Sequence, residues 1–159
     1  MDSKKLIGQA AVFVALSALA GAGCSTWNRM TNSSSQDTAN IALRSSNDIP
    51  SAQGRLAVKG TEGPNQVVDL TVKHMAPPAK VKSGASAYVV WLQPEAAKEP
   101  INMGVLSVDN DLNGELQFKT PFPKFEVFVT AEHDPAVQSP AGHGKLLTAA
   151  VDLPSHAIR

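Results

Sequence analysis

The chain has 159 residues, and its 14 Lys and Arg balance its 14 Asp and Glu. That balance leaves no electrostatic footprint for nucleic acid or another acidic polymer, which call for clustered Lys and Arg. The lone cysteine, Cys24, excludes a disulfide framework, so a folded domain here must rest on its hydrophobic core.

The first segment does not read as part of a fold. Lys4 and Lys5 give a short positive end. Residues 6–20 are apolar apart from Gln9 and Ser17, and Gly21-Ala22-Gly23 precede the cysteine. A charged start, an apolar run and small residues are the three parts of a secretory signal. No stop-transfer pattern follows, so export with cleavage is expected, not a permanent span. Ending on Cys24, the segment resembles the signal of bacterial lipoproteins, with Gly21 where the usual lipobox carries a large aliphatic residue. The resemblance implies residues 1–23 as signal peptide and lipidation of Cys24. It also implies a membrane as partner through that lipid. The expected place is the bacterial envelope, lipid-anchored at the outer membrane and facing periplasm or cell surface.

Residues 24–53 carry the lipidated cysteine and then a stretch rich in Ser, Asn and Thr, with apolar residues too sparse to bury. They are expected to form a flexible tether. Within it, "TANIALRSS" suggests a helical turn. From Gly54 the texture changes, and residues 54–159 are expected to form the domain. Short apolar runs alternate with Pro and Gly. Strands are predicted at 55–60, 66–75, 86–93, 102–108, 115–120, 125–132 and 145–152. Val68, Leu70 and Val72 share one face against Asp69, Thr71 and Lys73, and Phe125, Val127 and Val129 oppose Glu126 and Thr130. Such alternation belongs to sheets with one wet face. Pro121 and Pro123 interrupt the sequence between two of these runs. About seven short strands without intervening helices predict an antiparallel, immunoglobulin-like β-sandwich. The strand around Trp91 is apolar on both faces, as a central strand would be.

No enzyme signature is present, and no cofactor is implied. There is no Gly-x-Ser-x-Gly elbow. "GHGK" at 142–145 lacks the first glycine of a phosphate loop and carries Leu146 where Ser or Thr is needed. His74, His133, His143 and His156 show no local ligand spacing, although His133 and His143 flank one long loop. The sharpest motif is Asp109-Asn110-Asp111-Leu112-Asn113-Gly114. Oxygens on Asp109, Asp111 and Asn113 before a glycine resemble the start of a calcium loop, but Thr120 stands where the bidentate glutamate belongs. The same residues read as a hairpin turn, for which Asn-Gly is a strong signal.

Three segments resemble a known family together: "AYVVWLQP" (87–94), "NMGVLSVD" (102–109) and "FEVFVTAEHDPAVQSPAGHGKLLTAAV" (125–151). They are similar to the extracytoplasmic C-terminal domain of anti-sigma-K-type factors. The resemblance covers roughly 66–152 and implies a β-sandwich. The family's cytoplasmic sigma-binding region has no counterpart here, so sigma binding is not implied. The expected function is a lipid-anchored, non-catalytic module for protein interaction or envelope sensing. The alternative is an exported calcium-binding lipoprotein.

Overall fold

In a computed structural model, residues 38–61, 63–142 and 144–153 are described. Eight strands carry the fold: β1 (Thr38–Ser45), β2 (Gln53–Gly60), β3 (Gln66–Lys73), β4 (Ala87–Pro94), β5 (Ile101–Val108), β6 (Gly114–Thr120), β7 (Lys124–Glu132) and β8 (Leu147–Asp152). One four-residue helix, α1 (Pro78–Val81), lies between β3 and β4. The seven predicted strands are all present, with ends shifted by a residue or two.

The sheet is antiparallel throughout and closes into a barrel in the order β1-β2-β3-β6-β5-β4-β7-β8. This differs from the expected seven-stranded, immunoglobulin-like sandwich. The difference is β1, which falls inside the expected tether. "TANIALRS" is a strand, not a helical turn. It pairs with β2 from Thr38↔Lys59 to Leu43↔Gly54, and its end reaches β8 at Arg44↔Thr148 and Ser45↔Leu147. The second corner is equally short, with β5 meeting β6 only at Ser107↔Glu115 and Val108↔Gly114. An eighth strand supplies the partner that lets the sheet close and lose its open edges.

The interior is filled by inward alternate residues. Leu56 and Val58, then Val68, Leu70 and Val72, then Tyr88, Val90 and Leu92 join one continuous core with Val127, Val129 and Leu147. An eight-stranded barrel has room for side chains and little else. Pro121 and Pro123 sit in the short β6–β7 connection, as their missing donors require.

The two ends of the barrel are unequal. The chain enters β1 at the end that carries the connections 61–65, 95–100 and 121–123. The longer connections 46–52, 74–86 and 133–146, with the tight 109–113 turn, lie at the opposite end.

Candidate functional site

The loops at that opposite end are tied to one another. Ser46 N–H donates to Leu146 O at 2.8 Å, joining the 46–52 and 133–146 loops. Met75 N–H donates to Leu112 O at 3.0 Å, joining the 74–86 crossover to the 109–113 turn. Ser86 ties the crossover to the end of β7, its N–H bonding Glu132 O at 2.9 Å and its hydroxyl His133 O at 2.6 Å. Tyr88 points into the barrel and donates its hydroxyl to Ala76 O at 2.6 Å. Burial pushes the Tyr88 phenol up to about 12, because the charged phenolate would lose its water.

The 133–146 loop is seated on the outer face of β4 and β7. Val89, Trp91 and Phe128 form a second, smaller apolar cluster there, and Val137 of the loop packs against it. Trp91 and Phe128 stack with centroids 6.3 Å apart. Beneath the loop runs a polar chain. The Trp91 indole N–H donates to Thr130 Oγ1 at 2.8 Å, and the Thr130 hydroxyl donates to Glu132 Oε1 at 2.7 Å. Ala141 N–H of the loop reaches the same carboxylate oxygen at 3.3 Å. Glu132 is 1 % exposed.

A bulge in β5 adds the second fastening. Trp91 opposes Asn102 and Val90 opposes Gly104, which leaves Met103 without a direct partner. Gly104 sits at φ +122°, open to glycine and unfavourable to other residues. The bulge aims Asn102 at the loop. Its Nδ2 donates to Pro135 O at 3.1 Å and Val137 O at 2.8 Å, and its Oδ1 accepts from Gly104 N–H at 2.9 Å.

The calcium-like motif is a turn whose Asp109 carboxylate is turned onto its own backbone. Asp109 Oδ1 accepts from Asp111 N–H at 2.9 Å and Asn113 N–H at 2.8 Å. The left-handed residue is Leu112, at φ +62°, not Asn113 or Gly114. Gly114 serves another need: a Cβ there would stand 2.7 Å from Ser107 O. No group of three or more His, Cys, Asp or Glu able to hold a metal occurs among the described residues. The His133 ring packs against Gly84, where a Cβ would overlap it. His143, His156 and Cys24 lie outside the described residues. Among the described residues, no helix is long and apolar enough to cross a membrane.

No family model matches the chain, and no curated protein matches it. Among solved structures, the clock protein EA4 is similar at 8% identity and a TM-score of 0.45, over 72% of this chain and 94% of that one. That distance carries nothing about function.

Sequence reasoning found Trp91 and expected it to be buried. It did not find Asn102, Thr130 and Glu132 as a set. Thr130 and Glu132 continue the outward row that begins with Glu126 and Phe128 on β7, and an outward row is ordinarily wet. The unusual signal was the apolar outer row Val89 and Trp91 beside it, which marks a face that something must cover.

Proposed function

We propose that this protein is a lipid-anchored, non-catalytic β-barrel module of the bacterial envelope, with its interlocked loop end as the recognition surface for a protein partner. The observation that carries the reading is polarity. The chain enters the barrel at one end, and the long, mutually bonded loops stand at the other. Loops held by a rigid scaffold are where binding residues concentrate. The segments that resemble the outer domain of anti-sigma-K-type factors include β5, β4 and β7, which are neighbours in the sheet. The reading of the domain as an outer sensing module of that kind rests on this resemblance.

Two experiments test this reading. Wild type is expected in salt-washed membranes and in the detergent phase, since lipid attachment is hydrophobic and unscreened by salt. Cys24→Ser is expected to be soluble or held as an uncleaved precursor. Equal solubility of the two would overturn the anchor. A photo-crosslinker at exposed Ala136 in the loop end is expected to trap a partner in native membranes, and one at Glu99 on the opposite end is not. Capture from Glu99 alone would overturn the assignment of the recognition surface.

A further inference from the structure

We propose that the outer face of β1–β2–β3, near the loop end, is a binding site for a small phosphate-class oxyanion held chiefly by Arg55 and Lys73. The register places these residues. Leu43, Leu56 and Val72 face the core, so Arg55, Thr71 and Lys73, each one position away on its strand, face outward. Arg55 stands opposite Ala42 on one side and Thr71 on the other, and Gln53 stands opposite Lys73. Arg55 and Lys73 are therefore diagonal neighbours on adjacent strands, with backbones roughly 7–8 Å apart, and both long side chains can reach one ion.

The same residues line an open cleft of about 620 Å³ with Ala42, Ala52, Gln53 and Thr71. No carboxylate lines it. Two stand beside it in the register: Asp69, diagonal to Arg55, is already bonded by Lys59 and Gln117, and Glu115 on β6 stands opposite Thr71 and diagonal to Lys73. Three exposed lysines, Lys59, Lys124 and Lys145, are matched to Asp69, Asp152 and Glu126. Arg55 and Lys73 take part in none of these pairs.

Two cations beside hydroxyl and amide donors, with no acid in the lining, select an anion with several oxygens. Arginine offers its planar fork to two of them, and lysine adds a point charge. Thr71 Oγ1 and Gln53 Nε2 supply neutral donors. Exposed charges are well screened, so the affinity belongs in about the millimolar range. The oxyanion can be free phosphate or the headgroup of a phospholipid, which present the same chemistry.

The test uses the full chain in neutral detergent at constant ionic strength. Inorganic phosphate and sn-glycerol 3-phosphate are titrated separately by calorimetry, against chloride. Saturable binding is expected. Arg55→Gln and Lys73→Gln should each weaken it about tenfold, the loss of a charge-assisted hydrogen-bond pair. Both side chains are exposed, so unchanged melting curves will show that the fold is intact. Lys98→Gln, in a connection at the opposite end, should leave binding unchanged. Tighter binding of glycerol phosphate assigns the lipid headgroup, and equal binding assigns free phosphate. No saturation above chloride, or saturation unaltered in the double variant Arg55→Gln/Lys73→Gln, would overturn the site.

Discussion

The Trp91 indole N–H donates to Thr130 Oγ1 across 2.8 Å on the outside of the barrel, in a place sealed from water. The apolar second face of β4 is therefore covered by a loop and not by a second sheet. Trp91→Ala should cost about 3–5 kcal/mol, the usual range for a large aromatic lost from a packed site. Trp91→Phe keeps the ring packing and loses the donor, so it should cost less. Thr130→Val should cost about 1–3 kcal/mol, because it strands the indole N–H and takes a donor from Glu132. Thermal melts of the three variants will rank them. A Trp91→Ala melt equal to wild type would show that the loop does not seal this face.

The loop's fastening to Asn102 predicts a local effect larger than the global one. Asn102→Ala removes two donors from the carbonyls of Pro135 and Val137 and the acceptor of Gly104 N–H. Amide hydrogen exchange within 133–146 should accelerate strongly, while the strands of the core keep their protection. Acceleration spread evenly over the barrel would instead mean that the loop and core open together.

The chain has one tyrosine, so its ionisation can be followed directly by near-ultraviolet absorbance. Tyr88 should titrate at about 12 in the folded protein and near its ordinary value of 10 when unfolded. A folded-state value above the unfolded one means that the stabilisation is fully present below pH 10. It is lost as pH rises from about 10 to 12. Tyr88→Phe should flatten that alkaline loss, at the cost of the bond to Ala76 O. A folded midpoint near 10 would contradict the burial.

On the acid side, Asp69 and Glu126 predict the reverse. The Asp69 carboxyl is held below its usual value, first by the Gln117 side-chain amide and then by Lys59. Burial alone would raise Glu126, but hydrogen bonds from Lys145 and Thr148 outweigh it, and its carboxyl also lies below the usual range. A depressed folded pKa contributes stability above the unfolded value, lost as pH falls through the folded one. Both groups are partly exposed, so the contributions are small and salt-screened. Asp69→Asn and Glu126→Gln should each reduce the acid-side slope of stability below about pH 4.5, and less so in high salt. An unchanged slope would remove them as contributors.

The 109–114 turn is expected to behave as structure. Its Asp109 carboxylate is already engaged by two backbone N–H groups, so added calcium should leave the melting temperature unmoved. Asp109→Ala should lower stability by about 1–2 kcal/mol through those lost bonds. Gly114→Ala should also destabilise, by about 1–3 kcal/mol, since its Cβ meets Ser107 O. A calcium-dependent rise in melting temperature that Asp111→Ala abolishes would restore the metal reading.

Seven strands were legible because their alternation is local: Val68, Leu70 and Val72, or Phe125, Val127 and Val129, announce a wet and a dry face by themselves. The hairpin at 109–114 was legible in kind, because turn chemistry is also local, but not in detail. Leu112 takes the left-handed position, while Gly114 is required by a contact with Ser107 on the facing strand. β1 was missed because its inward row is Ala39, Ile41 and Leu43, and one alanine and two aliphatics in a Ser- and Asn-rich stretch give little contrast. Closure could not be read at all. It depends on which strand ends meet, and here four residue pairs at two corners decide it. The buried Trp91–Thr130–Glu132 chain and the Arg55–Lys73 cleft are likewise products of register. Residues far apart or unremarkable in sequence become neighbours only when strands pair, because periodicity states which face a residue takes and never which residue lies opposite.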